Sequence, residues 1–291
     1  MKINDIKNKY DQNDISIYGK SIDELVALLY HENSKFCEHD FKEKGLKISS
    51  FAQDPFMVER SIKPYKCYPN SSTIDLNEYI KIDLKSDFIQ LLKQRRSLRD
   101  FDINYKISLF EITNLLFHSY GVTQKTKVTG FDFDGHIGLR NIPSGGGLYP
   151  LELYVVILNG HIENGLYHYR SDNNKLELLK KGDFKENLRN IIMAEPYVNI
   201  KTSSCVILTT GLIERVVIKY GERGYRFMLQ ECGFVNHTIT LLAEALGLGS
   251  CYLGGYIDDK VNDFIGIDGV FETINNVLVI GKKNNNLNCK I

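Results

Sequence analysis

Hydrophobic and polar positions alternate with a clear period only from about Gln94 onward. Ser108-Leu-Phe-Glu111 is a capping box, the Ser side chain closing the helix start and the Glu reaching back. Leu109, Ile112, Leu116 and Tyr120 follow at helical spacing, and Gly121 can end that helix. Leu153–Leu158 is a continuous, β-branched apolar run and reads as a buried strand. Gly165–Arg170 and Lys175–Lys180, joined by Ser-Asp-Asn-Asn, read as a hairpin. Phe184–Ala194 reads as a helix stopped by Pro196, and Ser204–Thr210 as another strand. The longest helix is predicted from about Gly224 to Leu246, because Met228, Cys232, Val235, Ile239, Leu242 and Leu246 form an unbroken apolar stripe. Asn276–Gly281 reads as the last strand. Strands and helices interspersed around one long helix suit an α+β or α/β core of about two hundred residues.

The first ninety residues show less pattern. They hold one plausible helix, Ser21 to His31, and a polar stretch with Pro55, Pro64 and Pro69. The reading is therefore an N-terminal extension or small subdomain over 1–90 and a larger domain over 91–291. No internal repeat is present, and the only low-complexity piece is the polar Asn284–Asn286 tail.

Composition narrows the class. With 43% hydrophobic and 25% charged residues, the 291-residue chain can bury a full core without staples. Lys+Arg and Asp+Glu both number 36, and this balance argues against a nucleic-acid binder, which needs surplus cations. The polar start lacks an apolar stretch, so it is no signal peptide, and no run is long enough for a membrane helix. The six cysteines, Cys37, Cys67, Cys205, Cys232, Cys251 and Cys289, form no CxxC pair, and no HExxH is present. The expectation is a cytoplasmic protein with reduced thiols and no metal site.

Four clusters could carry chemistry. Gln94-Arg-Arg-Ser-Leu-Arg99 puts three guanidiniums and a hydroxyl within five residues, an anion grip or a solvated basic turn. Pro143-Ser-Gly-Gly-Gly-Leu-Tyr-Pro150 leads into a strand; its glycines let backbone approach a flat ligand or phosphate, and Tyr149 could pack on an aromatic ring system. It is neither a GxxxxGK[ST] nor a GxGxxG loop. Lys219-Tyr-Gly-Glu-Arg-Gly-Tyr-Arg226 gathers cationic and phenolic groups around a helix start, where like-charge repulsion can depress a lysine pKa and make it a base. Gly247-Leu-Gly-Ser-Cys-Tyr-Leu-Gly-Gly-Tyr256 reads as a glycine-rich loop after the long helix.

In this order along residues 90–283, and with Gly165-Leu-Tyr-His-Tyr between the second and third, the clusters resemble the FMN-dependent nitroreductase superfamily, in its SagB-type branch of azoline dehydrogenases. The resemblance implies an α+β nitroreductase fold: a central, mainly antiparallel sheet flanked by helices, a homodimer, and one FMN in each of two interface sites. Carried over by motif, Arg95, Arg96, Ser97 and Arg99 would hold the FMN phosphate and the polar edge of its ring. Pro143, Ser144, Gly145 and Gly146 would line the isoalloxazine, Gly254 and Gly255 would approach the flavin by backbone, and Lys282 would sit near the phosphate. Lys219-Tyr220 match the branch's catalytic pair, Lys219 as base and Tyr220 as relay. The implied reaction oxidises thiazolines or oxazolines of a ribosomal precursor peptide to thiazoles or oxazoles, in bacteriocin-type maturation, with a cyclodehydratase as a further partner.

One segment departs from the pattern. Where the family carries Gly-His-x-x-Gln-Asn, this chain has Gly233-Phe-Val-Asn-His-Thr238. The change leaves room for a different substrate. A general nitro- or quinone-reductase is disfavoured by the N-terminal extension of about ninety residues, and two further rival readings stand beside the first. One is an NAD(P)H-driven FMN reductase of dehydroalanine or dehydrobutyrine in lanthipeptides. The other is a scaffold subunit without turnover.

Overall fold

A computed structural model describes residues 26–35, 38–62, 64–81, 87–130 and 135–284. Cys37, Cys289, the start of the Ser21–His31 helix and most of the Asn284–Asn286 tail lie outside them. A seven-stranded sheet forms the centre: β1 (Thr73–Asp75), β4 (Leu151–Ile157), β5 (Gly165–Arg170), β6 (Lys175–Lys181), β7 (Cys205–Leu212), β8 (Leu248–Leu253) and β9 (Glu272–Lys282). Their order is β1-β6-β5-β4-β7-β9-β8, and every neighbouring pair is antiparallel. Strands β2 (Val122–Lys127) and β3 (His136–Arg140) form a separate hairpin.

The sheet is covered on both faces, which is why its central strands read as unbroken apolar runs rather than alternating ones. On one face Leu153, Val155, Ile207 and Leu278 pack with α5 (Leu109–Tyr120) and α8 (Glu222–Ala245). On the other, Tyr154, Val156, Val206 and Val279 pack with Leu188 of α6 (Lys185–Ile191) and Val261 and Ile265 of α9 (Asp258–Ile265). The capping box forms as predicted: Ser108 Oγ accepts from the Glu111 N–H, and the Glu111 carboxylate accepts from the Ser108 N–H at 2.9 Å.

Two elements differ from the sequence reading. The glycine-rich segment after the long helix is an edge strand, β8, and not a loop as far as Leu253. Gly249 is needed there because a Cβ would lie 2.3 Å from the Leu98 side chain. The Lys219–Arg226 segment does not surround one helix start. Lys219 and Tyr220 end α7 (Ile213–Tyr220), Gly221 breaks the chain at φ 56°, and Glu222 starts α8.

The described residues before Gln94 hold more regular structure than their pattern announced. They form α1 (Val26–Asn33), α2 (Glu38–Phe51) and α3 (Pro55–Ser61), with the Asp54 carboxylate capping α3. Residues 73–75 supply the sheet's edge strand, and Leu76 is fully buried in the main core. A fourth short helix, α4 (Phe88–Gln94), leads into the arginine cluster.

Candidate functional site

Most of the candidate residues fall into two groups, one beside β8 and one at the start of α8. The first is the arginine cluster. The chain leaves α4 at Arg95 and runs extended beside β8, where the Leu98 N–H donates to Ser250 O at 2.8 Å and Ser97 pairs with Ser250 as an isolated parallel bridge. Lys282 ends β9 opposite Leu248; its Nζ lies over the Tyr105 ring and near Gly247. Among the described residues, Arg95, Arg99 and Lys282 have no carboxylate partner, although most other cations of the core do. Three uncompensated cations and an exposed Ser97 hydroxyl form an anion-binding donor set. Arg96 is engaged elsewhere: its guanidinium donates to Lys93 O at 2.9 Å and Arg95 O at 2.8 Å, closing the end of α4.

Gly254 and Gly255 follow β8. The Met193 N–H donates to Gly255 O at 2.8 Å, and both glycines are exposed.

The second group is the glycine turn. Gly145–Gly147 form one tight turn, with Gly146 at φ 66° and Gly147 at φ 68°. Ser144 Oγ accepts from the Tyr149 N–H at 2.9 Å and so folds the turn back on itself. The structure brings this turn together with the Lys219-Tyr220 pair. A Cβ on Gly146 would lie 2.4 Å from Tyr220 Oη and 2.9 Å from Lys219 Nζ, and one on Gly145 would lie 3.1 Å from Phe227. Only glycine lets the reactive groups and the turn lie this close. Tyr149 is not open to a ligand. It is buried, edge-on to Tyr120 with ring centroids 6.3 Å apart and under the Arg140 guanidinium.

Burial holds Lys219 below the ordinary lysine range and pushes Tyr220 up. The cause is desolvation rather than the like-charge repulsion the spacing suggested. Phe51 of α2 lies with its ring 5.2 Å from Lys219 Nζ and supplies part of that cover.

Beneath the turn sits a group that sequence reasoning missed. Glu231 is 2% exposed; it accepts from Tyr120 Oη at 2.8 Å and from the Ser144 hydroxyl. Burial pushes its pKa up to about 7, against the pull of these two bonds and of Arg140 and Arg215. Its sequence signal was an acid three residues after Met228, on the apolar stripe of the long helix. Arg215 also anchors the turn's exit, donating to Tyr149 O at 3.1 Å and pairing with Glu152 at 2.6 Å. Glu152 in turn meets His168, which is fully buried between Glu152 and Glu177 at 3.0 and 2.8 Å. Burial opposes a charge on His168, but the two carboxylates outweigh it and raise its pKa.

In the departing segment, Asn236 is buried against Thr209 at 3.2 Å, while His237 is exposed and the Thr238 hydroxyl is bonded to Phe234 O. Leu229 and Phe234 on the same helix, and Tyr252 on β8, are exposed apolar side chains.

Within α8 itself, Phe227 under the glycine turn and Ala245, two residues before the Gly247 that Lys282 approaches, are separated by roughly 27 Å of helix at 1.5 Å per residue.

Among the described residues no helix is long and apolar enough to cross a membrane, and no three His, Cys, Asp or Glu side chains gather to hold a metal ion. Cys67, Cys205, Cys232 and Cys251 are free thiols, the last three buried.

The class is that of an α+β protein with a seven-stranded antiparallel sheet covered by helices on both faces. The nitroreductase family model matches residues 92–282, and the chain belongs to that family, whose members are typically flavin-dependent oxidoreductases. It is 28% identical over 178 residues to MJ1384 of Methanocaldococcus jannaschii, by name a nitroreductase, covering 61% of this chain and 83% of that one. It is 28% identical over 134 residues to the microcin B17-processing protein McbC of Escherichia coli, covering 44% of this chain and 49% of McbC. It is 26% identical over 184 residues to the trifolitoxin-processing protein TfxB of Rhizobium leguminosarum bv. trifolii, covering 62% and 48%. The matches thus span about half the length of both peptide-processing relatives. Among solved structures, an Anabaena variabilis protein named as a nitroreductase aligns at TM-score 0.67 and 26% identity, over 88% of this chain and 46% of that one. The E. coli microcin synthetase McbBCD complex with truncated pro-MccB17 shares the fold at TM-score 0.53 and 21% identity, over 90% of this chain and 99% of the aligned one.

Proposed function

We propose that this protein is an FMN-dependent oxidoreductase of peptide natural-product maturation that oxidises thiazolines or oxazolines of a ribosomal precursor peptide to thiazoles or oxazoles. The observation that carries this reading is the contact between the half-buried Lys219-Tyr220 pair and the Gly145–Gly147 turn. Likeness to two peptide-processing proteins supports the substrate class.

The residues present fit the cofactor. Arg95, Ser97, Arg99 and Lys282 are cationic or hydroxylic donors without a carboxylate partner among the described residues, which suits a phosphate. Pro143, Ser144, Gly145 and Gly146 offer a backbone surface for a flat ring, and Gly254-Gly255 an exposed loop beside β8. Arg96 is left out of this set because it closes α4.

FMN, when bound, would accept the hydride equivalent that leaves the azoline ring. Lys219, kept neutral more readily by its burial, takes the ring proton at its Nζ. Tyr220, its hydroxyl held protonated by burial, orients the ring or relays that proton. The rigid turn, pinned by Ser144 and Glu231, fixes the distance between base and flavin plane.

The unit that does this is residues 91–291, with 1–90 as an N-terminal extension whose residues 73–76 join its sheet and core. It works as a homodimer, the grip of one copy set against the turn of the other. The exposed Leu229 and Phe234 on α8, and Tyr252 beside the Gly254-Gly255 loop, supply an apolar face for that contact.

The test is the visible spectrum of the purified protein, before and after anaerobic NADPH and then a synthetic thiazoline peptide. The reading expects bound FMN that the peptide bleaches and NADPH does not. Fast bleaching by NADPH would move the assignment to the reductase, and failure to take up FMN at all would leave a scaffold.

A further inference from the structure

The N-terminal helices do more than cover the core. A cavity of about 230 Å³ lies between them and the α7–α8 junction, and its floor is Lys219, Tyr220 and Gly221. The remaining walls include Lys35, Lys44, Lys47 and Arg223, with Glu222 as the one acid among the described residues that line it. This concentration of positive charge stands out in a chain with zero formal net charge.

The roof is fastened specifically. Tyr30 Oη donates to Glu222 O at 3.1 Å, and its ring meets Tyr225 edge-on. Arg226 donates to Ser34 Oγ at 2.8 Å and to His31 O at 2.6 Å, and Arg223 donates to Ser34 O at 3.3 Å. On the far side, Arg60 of α3 pairs with Glu214 of α7. These contacts tie α1 and α3 to the two helices that meet at the reactive pair.

We infer that this cavity is a subsite for one carboxylate of the peptide substrate, an Asp or Glu side chain next to the ring that reacts. The inference rests on the azoline-dehydrogenase reading for the identity of the substrate, but its charge argument is independent of the chemistry. The volume suits one side chain with its waters and falls below that of sites for drug-sized or nucleotide ligands. Lys35 pairs with Glu32, and Lys47 with Glu43, only within their own helical segments and at the surface. Exposed pairs of this kind are weak, so both lysines are available to an incoming carboxylate. A carboxylate held beside Lys219 also favours the charged amine, so an acidic substrate should move the inflection of kcat to higher pH than a neutral one.

The test compares two fluorescein-labelled thiazoline hexapeptides that differ only in Asp or Asn beside the ring. Binding to the FMN-loaded, full-length protein is read by anisotropy at low and high salt. The expected result is roughly tenfold tighter binding of the Asp peptide, a gap that closes at high salt. The same gap should collapse in the Lys35→Met, Lys44→Met, Lys47→Met variant, whose FMN content and circular dichroism confirm that it is folded. Equal affinity for both peptides in the wild-type protein, or a gap that survives in the folded variant, overturns the subsite. If both peptides are oxidised with equal kcat/KM, the subsite falls while the azoline reading stands. If the Asp preference in binding is present but neither peptide is oxidised, the subsite stands and the azoline reading falls.

Discussion

The arginine grip and the glycine turn are built on different principles. The grip is polar, exposed and loosely held: Arg95, Ser97 and Arg99 lie on an extended segment fixed mainly by its backbone pairing to Ser250. The turn is close-packed and pinned from below by the buried Glu231 and Tyr120 and by the partly exposed Arg215. In the proposed function, the difference teaches that the two ends of one site carry different burdens. Holding a phosphate needs charge that is not already neutralised, and tolerates motion. Placing a base against a flat ring needs fixed distances, and so a buried frame.

The sharpest way to break this contrast is at the base. Lys219→Ala should lower turnover by about 10²–10⁴-fold, the usual range for a general base, while FMN stays bound. Unchanged turnover, or loss of the yellow colour, would remove Lys219 from that role. Next comes the grip. Arg95→Ala with Arg99→Ala should strip FMN on dialysis, each arginine removing a charge-assisted bond worth about 1.5–3 kcal/mol. A double variant that stays yellow would show that the phosphate sits elsewhere.

Glu231 tests the frame beneath the turn. Its pKa of about 7 in the folded protein exceeds that of an ordinary glutamate, so the folded state holds the proton more tightly than the unfolded one. That stabilisation is full below the unfolded pKa and is lost as pH rises towards and through about 7, amounting to about 3 kcal/mol across the window. Burial raises this value, and Ser144, Tyr120, Arg140 and Arg215, which face the carboxyl, pull against it. Denaturant melts from pH 4.5 to 8 should show the decline in the wild-type chain and a flatter profile in Glu231→Gln; identical profiles would place the proton on another group. The smallest effect is reserved for Arg96→Ala. Because that side chain closes α4, it should cost under about 1 kcal/mol of stability and leave FMN affinity unchanged. Loss of FMN would return Arg96 to the grip.

Much of the scaffold was legible because local rules and tertiary packing agree there. Ser108–Glu111 is a complete cap in sequence, and the Met228–Leu246 stripe marks the face that α8 buries. The juxtaposition of Gly145–Gly147 with Lys219-Tyr220 was not legible from spacing, since about seventy residues intervene; only the resemblance grouped them. β8 was missed because glycine normally weakens a strand, and the reason for Gly249 is a Leu98 side chain far away in sequence. The N-terminal helices lack a clean apolar stripe, and their order rests on single long-range contacts such as Arg226 with Ser34. His168 sits in a strand that reads as ordinary Gly-Leu-Tyr-His-Tyr. Its two carboxylate partners come from the neighbouring strands β4 and β6, a relation set by register alone.

The central claim is that grip and turn act together across two copies of the chain. Its most direct test is complementation between two dead variants, Arg95→Ala/Arg99→Ala and Lys219→Ala, co-expressed with different tags and assayed on a thiazoline peptide with added FMN. If each site takes its grip from one copy and its base from the other, every mixed dimer contains one intact site. Activity should then return to about a quarter of wild type for random pairing, and to about half in the purified mixed dimer. A purified mixed dimer as inactive as either parent would contradict the account.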